Sequence, residues 1–296
     1  MSGVQIVMKN ILRLMRPKHY LKNGLIFVSL IFSKNLFNFS MLIEVFAGFV
    51  IFSLLSSVVY IMNDIQDVEA DRNHEVKRNR PIASGEVAIP TAIVLASILF
   101  AIAIGLNIFV CGILSKATLI MVAYFIINLG YSMGLKNIPF LDIFLLVMGF
   151  LLRVLYGAAI INDAVSSWVL LSVISISFYL ALGKRRNEIL KSRESESTRK
   201  VLKFYSFNFL DKFMYLCLAI SIVFYALWSA DTDIIQRYGT DKLVWTVPLV
   251  IIIMMKYSAD IESDSHGDPV DVIVKDKILM CLALLFAIIL ISMIYL

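Results

Sequence analysis

Charge is scarce in this chain of 296 residues. Asp, Glu, Lys and Arg supply 17% of it, against about 25% in an average soluble protein. Apolar residues reach 60%, and the mean hydropathy is +0.85. That balance excludes a disordered chain and argues against a soluble enzyme. Cysteine is also scarce. Cys111, Cys217 and Cys281 are scattered through apolar runs, so no disulfide framework is expected. Histidine is limited to His19, His74 and His266, none at zinc-ligand spacing. Any metal should therefore have oxygen ligands. No small-residue cleavage site follows the first apolar run, so a cleavable signal is not expected there. There is no low-complexity tract and no internal repeat.

What the chain has is long apolar runs. Stretches able to cross a bilayer occur at about 23–38, 41–63, 90–112, 116–132, 139–162, 166–183, 208–230, 243–258 and 277–295. None alternates as a membrane β-strand would. The expected fold is an all-α integral membrane protein, a bundle of nine transmembrane helices forming one polytopic domain over 1–296. Residues 1–22 mix Ile, Leu and Met with Lys9, Arg13, Arg16, Lys18 and Lys22, and read as an amphipathic helix on the membrane surface ending near Pro17.

The basic residues test this topology. With nine spans, 22 of the 27 Lys and Arg fall on one side and four on the other, with Arg153 inside a span. The net charge of +5 thus reports orientation and not nucleic-acid binding. The N-terminus and the segments 64–89, 131–138, 184–207 and 257–276 are placed in the cytoplasm, and the C-terminus outside. A chain that concentrates its polar residues on one face works on that face.

The second run ends in Asn63-Asp64-Ile-Gln-Asp67-Val-Glu-Ala-Asp71-Arg72, followed by Lys77, Arg78, Arg80 and Pro81-Ile-Ala-Ser-Gly85. On a continuing helix the three aspartates share an arc of about 60°. Like charges so placed repel, and a divalent cation would relieve them. Mg²⁺ takes one or two carboxylates and fills its shell with water and phosphate oxygens. The array suits Mg²⁺, or Mn²⁺, on a diphosphate, with Arg72, Lys77 and Arg80 as further phosphate ligands. Carboxylates at the membrane interface are costly without such a function.

This run and its R-P-I-A-S-G continuation resemble the first signature of the UbiA superfamily of membrane prenyltransferases. The resemblance implies a nine-helix bundle with a cytoplasm-facing polar cavity and Mg²⁺-dependent transfer of a diphosphate-activated group. A second Asp-rich motif is usual after the sixth span, and this chain lacks it. Leu182-Gly183-Lys184-Arg185-Arg186-Asn187-Glu188 stands there, which points to a metal-free anion site or to plain topology anchoring. On the anion-site reading, Arg185→Ala should weaken substrate binding more than it harms stability.

The chain is most similar to the polyprenyl-phosphate phosphoribosyltransferase branch. The matching residues include Arg16-Pro17-Lys18 through Lys22-Asn23, Tyr131-Ser132 through Lys136, Pro139 and Asp142, and Gly149 through Arg153 to Gly157-Ala158. They continue through Leu182 to Glu188 and Tyr257 to Pro269. The resemblance implies transfer from 5-phosphoribosyl 1-diphosphate to a polyprenyl phosphate within the lipid bilayer. Lys22, Tyr131, Lys136, Lys184 and Tyr257 are candidate substrate-binding residues. Asp142 and Arg153 lie three turns apart in the fifth span, and an intramembrane Arg marks a functional site. Its expected partner is a substrate phosphate, with a structural ion pair as the alternative. The acidic segment 260–268 reads as a solvated loop or a cap over the site. A prenyltransferase with a ring acceptor is the alternative enzyme, and a transporter the alternative class. Prenyl chain length and oligomeric state leave no signal.

Overall fold

Side-chain caps open five of the described helices. The computed structural model describes residues 3–192, 200–264 and 269–296, and among them every regular element is helical. In chain order these are α1 (Gly3–Met15), α2 (Val28–Phe32), α3 (Phe39–Gln66), α4 (Val68–Arg72), α5 (Ile89–Cys111), α6 (Lys116–Ser132) and α7 (Leu141–Ile160). They continue as α8 (Ser167–Ser192), α9 (Phe207–Ala230), α10 (Thr232–Tyr238), α11 (Val247–Asp264), α12 (Pro269–Lys275) and α13 (Lys277–Tyr295). Asn38 caps α3 by accepting from the Met41 amide, Ser115 caps α6, Ser206 caps α9 and Asp276 caps α13. Each satisfies an amide that the first turn leaves unpaired. Pro90 opens α5, where its missing N–H costs nothing, and Gly112 closes it at φ 87°.

Among the described residues, seven helical stretches are long and apolar enough to cross a membrane: α3, α5, α7, Ser167–Leu190, α9, Lys242–Glu262 and α13. The other two expected spans differ. Residues 23–38 do not form one helix. A 3₁₀ segment, Pro17–Phe27, leads into the five-residue α2, and Lys34 then turns the chain at φ 62°. Gly24, inside this stretch, disfavours a continuous α-helix. The fourth expected span is α6, whose 17 residues rise about 26 Å, short of a ~30 Å hydrocarbon core.

The described residues group into two compact units. One holds residues 3–30, 38–138 and 152–163. Here α3 packs along α5 and against the 3₁₀ segment. Leu14, Val58, Ile61, Ile82, Ala92, Ala96 and Leu99 form its core. Two glycines allow the closest approaches. A methyl group at Gly157 would stand 2.0 Å from the Ile26 carbonyl oxygen, and one at Gly48 would stand 2.3 Å from Ile160 Cδ1. Gly157 thus admits the 3₁₀ backbone against α7.

The other unit holds residues 31–37, 139–151 and the described residues from 164 onward. It is built on the pairing of α8 with α9, with α11 packed on α9 and α13. Ile143, Val147, Tyr179, Leu182, Tyr205, Leu210, Met214 and Tyr257 form its core. Tyr295 donates to the Ile31 carbonyl at 3.0 Å and Tyr238 to the Phe32 carbonyl at 2.7 Å, which tie α13 and α10 to the end of α2.

Candidate active site

The long helix α3 stops at Gln66, one residue short of Asp67. Asp67 leaves helical geometry at φ −91°, ψ 7° and leads into α4, which carries Asp71. The continuous helix expected from the spacing is therefore broken at its middle aspartate. The hydrogen bonds still follow helical order, from the Asp67 amide to the Asn63 carbonyl and from the Asp71 amide to the Asp67 carbonyl. As a result Asp64 and Asp71 keep one face and share a single base. Arg80 Nη1 lies 3.0 Å from Asp64 Oδ1 and 2.6 Å from Asp71 Oδ2. Arg16 Nη2 also donates to Asp64 Oδ1. Asp67 points elsewhere, to Lys136 Nζ at 2.5 Å. Asn63 Oδ1 accepts from the Ser132 hydroxyl at 3.3 Å.

Asp64 and Asp71 are 2% and 4% exposed, so their charges are largely out of water and require partners. Arg16, Arg80 and Lys136 provide them. Among the described residues no three His, Cys, Asp or Glu side chains are gathered closely enough to enclose a metal ion. The donor chemistry nonetheless suits a hard divalent cation, because every acceptor in the cluster is a carboxylate or amide oxygen. Two carboxylates sharing one guanidinium also leave acceptor capacity for a cation.

Arg16 is the site residue that the sequence hides. Its charge looks like one more anchor on a surface helix. In the fold it sits between α1 and the 3₁₀ segment in the left-handed region, φ 54° and ψ 57°, a geometry that costs a non-glycine residue about 1–3 kcal/mol. Its guanidinium lies 5.3 Å from the Tyr60 ring centre while it reaches Asp64. The Arg-Pro pair was the available signal, since Pro17 constrains the residue before it.

The remaining residues of this unit form two groups. Arg72 is exposed, with Nε donating to the Ala83 carbonyl at 3.4 Å. The Lys77 amide and the Val76 amide donate to His74 Nδ1 at 3.4 and 3.2 Å, so the imidazole accepts on that nitrogen. Burial, with Lys77 and Arg80 adding to it, holds the His74 pKa below its usual 6.5. Lys22 and Tyr131 are half-buried on the 3₁₀ segment and at the end of α6. Arg153 belongs to a deeper network. It is 6% exposed, donates to Asn23 Oδ1 at 2.8 Å and the Tyr124 hydroxyl at 2.9 Å, and lies over the Tyr124 and Phe52 rings. Asn23 also bonds Ser53 and Ser56. Arg153 therefore braces the 3₁₀ segment against α3 and α6.

In the second unit Asp142 meets Arg185. Both side chains are 0% exposed, and Arg185 Nε lies 2.7 Å from Asp142 Oδ2. Arg185 Nη1 lies 2.7 Å from Glu188 Oε2. Tyr205 donates to the other Asp142 oxygen at 2.7 Å and accepts from the Phe140 amide at 2.5 Å. Phe140 is itself left-handed at φ 65°. Burial pushes the Tyr205 phenol up to about 12. Arg186 is also engaged, with Asp211 at 2.7 Å, Glu262 at 3.5 Å and the Phe207 ring at 4.6 Å. Two of the three bases in Lys184–Arg186 thus already hold acids, and Lys184 is half-buried beside them. Tyr257 is buried against Tyr179, ring centres 5.9 Å apart. In the acidic segment, Asp260 pairs with Lys256 and Glu262 accepts from Tyr215 at 2.8 Å. Residues 265–268 lie outside the described residues.

The profile described as the UbiA prenyltransferase family matches residues 24–186. Decaprenyl-phosphate phosphoribosyltransferase of Corynebacterium glutamicum is 35% identical, covering 96% of this chain and 86% of that protein. The protein of that name from Mycobacterium tuberculosis is 32% identical, covering 93% and 90%. Among solved structures, a UbiA homolog from Archaeoglobus fulgidus bound to GPP and Mg²⁺ superposes with a TM-score of 0.70 at 19% identity, over 96% of this chain and 99% of that one. The likeness to that structure is one of fold. With the apolar helices and the shared profile on the page, the chain is a multi-pass membrane protein that belongs to the UbiA prenyltransferase family.

Proposed function

We propose that this protein transfers the 5-phosphoribosyl group of 5-phosphoribosyl 1-diphosphate to a polyprenyl phosphate. The bond from ribose C1 to the diphosphate oxygen breaks, and a bond from C1 to the lipid phosphate oxygen forms. The products are polyprenyl-phosphoryl-5-phosphoribose and diphosphate. The observation that carries this reading is 35% identity to a decaprenyl-phosphate phosphoribosyltransferase across 96% of the chain. The lack of a second Asp-rich motif at 182–188, which a prenyl-diphosphate enzyme of this family would carry, supports it.

Asp64, Asp67, Asp71 and Asn63 would hold the cofactor, Mg²⁺ or Mn²⁺, and the UbiA homolog bound to GPP and Mg²⁺ supports a divalent ion. Such an ion, when bound, neutralises charge on the departing diphosphate. Arg16, Arg80 and Lys136 balance the carboxylates without it, and their N–H groups suit phosphate oxygens. Arg72, Lys77, Lys22, Tyr131 and Lys184 offer further donors to the substrates. Arg153, Asp142, Arg185, Arg186 and Tyr257 act through the elements they hold in place. The acceptor needs no general base, because a phosphate monoester with a second pKa of about 6 is already ionised at neutral pH. The same reading puts nine passes in the plasma membrane, with the 3₁₀ segment plus α2 and the short α6 as two of them. The N-terminus and the aspartates face the cytoplasm and the C-terminus faces out.

The test uses purified protein in lipid nanodiscs with labelled 5-phosphoribosyl 1-diphosphate, polyprenyl phosphate and Mg²⁺. Label moves into lipid and stops with EDTA. Product formed only from prenyl diphosphate and a ring acceptor would replace this reaction with prenyl transfer.

A further inference from the structure

The helix α1 has two working faces. Asn10 and Leu14 turn inward and are buried, Leu14 completely, within the core beneath α3. The opposite stripe, Met8, Lys9, Leu12, Arg13 and Arg16, follows helical spacing and lines a groove of about 600 Å³. Pro17 and Lys18 of the 3₁₀ segment close its other side. Met8 and Leu12 are 59% and 54% exposed, which in water would be a waste of apolar surface and beside a bilayer is a lipid contact.

The groove walls are apolar and its charges are all positive. Arg13 is committed to Glu86 at 2.6 Å and to the Asn79 carbonyl at 2.7 Å. Arg16 is committed to Asp64. Lys9 and Lys18 stand exposed on either side. An apolar trough with a cationic rim matches an amphiphile whose head is an anion and whose tail is hydrocarbon. The inner wall decides which amphiphile. Arg16 lines the groove and also bonds the first aspartate of the Asn63–Asp71 motif, so a head group here is one side chain away from that cluster.

We propose that this groove is a docking site for an isoprenoid phosphate, the acceptor lipid, before it reacts. Its phosphate lies on Lys9 and Lys18, and its first isoprene units lie against Met8, Leu12 and Pro17. Arg16, held by Asp64, is the next base the phosphate meets on the way in. The identity of the lipid rests on the phosphoribosyl-transfer reading; the groove and its charges do not.

A photoreactive C15 isoprenyl phosphate, offered to the full-length protein in nanodiscs without any donor, tests the proposal. Cross-links should map to 8–18 by mass spectrometry. Unlabelled polyprenyl phosphate should displace the probe, whereas phosphatidylglycerol and inorganic phosphate at the same concentration should not. Lys9→Gln with Lys18→Gln, both on exposed sites, should lower probe affinity at least tenfold, because each lysine near a membrane surface contributes appreciably to holding an anionic head. Displacement by phosphatidylglycerol as effective as by polyprenyl phosphate would overturn the assignment and make the groove a general anionic-lipid face. Cross-links confined to other segments in protein that still transfers phosphoribose would remove the groove and leave the reaction. Cross-links at 8–18 in protein that transfers none would support the groove and remove the reaction.

Discussion

Arg185→Ala should unfold this protein more readily before it says anything about substrate. On the anion-site reading of Lys184-Arg185-Arg186, Arg185 is a phosphate ligand whose loss would weaken binding more than stability. The fold reverses that order. Arg185 and Asp142 are both 0% exposed and 2.7 Å apart. Removing one partner of a buried pair leaves the other charge uncompensated, at about 3–5 kcal/mol. At roughly 2–4 °C per kcal/mol for a large domain, the thermal midpoint falls by roughly 6–20 °C. Asp142→Asn should fall on the same scale, and it also weakens the acceptor of the Tyr205 hydroxyl. Replacing both charges by Met and Leu removes the buried charges together, so the double variant should regain at least half of the single-variant loss. The assay is intrinsic fluorescence during heating in one detergent at one scan rate, since membrane proteins unfold irreversibly and the midpoint is then kinetic. Shifts under about 2 °C for both single variants, with the affinity for 5-phosphoribosyl 1-diphosphate lost in Arg185→Ala, would refute this reasoning and restore the anion-site role.

Asp67→Asn, on a residue whose side chain is 26% exposed, should abolish Mg²⁺-dependent label transfer while the thermal midpoint holds. Asp64→Asn should abolish it too, with some loss of midpoint because Asp64 is buried between Arg16 and Arg80; full activity in either removes that residue from the site. Gly157→Ala should destabilise by about 1–3 kcal/mol, because the added methyl meets a backbone oxygen, Ile26 O, at 2.0 Å and no flexible side chain can yield; an unchanged melting curve would mean the 3₁₀ segment slides freely. His74 should titrate below 6.5 by NMR. As pH falls from that value toward the folded pKa, the unfolded chain takes up its proton first, so stability is full above about 6.5 and declines below it; a folded-state midpoint at or above 6.5 would contradict the half-buried, accepting imidazole.

Much of the fold is legible in the order of residues. Runs such as 90–112 and 277–295 are apolar but for a few residues such as Asn107 and Ser292, and a membrane helix satisfies their backbone within the segment. Asn63, Asp64, Asp67 and Asp71 stand out in the sequence as a candidate site, because polar residues at a helix end are conspicuous against an apolar background. Where the reading of the spacing erred, a local feature had been extended too far. Asp67 breaks the helix it was expected to continue, and residues 23–38 divide into a 3₁₀ segment and a five-residue helix.

The order of residues alone settles most of the apolar helices, the scarcity of charge within them and the acid-rich end of α3. These depend on side-chain type and period, which neighbours along the chain settle. Which charge neutralises which could only come from the tertiary structure. Arg16 reaches Asp64 from 48 residues away, Lys136 reaches Asp67 from 69, and Arg185 reaches Asp142 from 43. An Arg that anchors a helix to the membrane, one that balances a buried carboxylate and one that awaits a phosphate are the same letter. Burial and the partner within 3 Å tell them apart, and both exist only once the helices have packed.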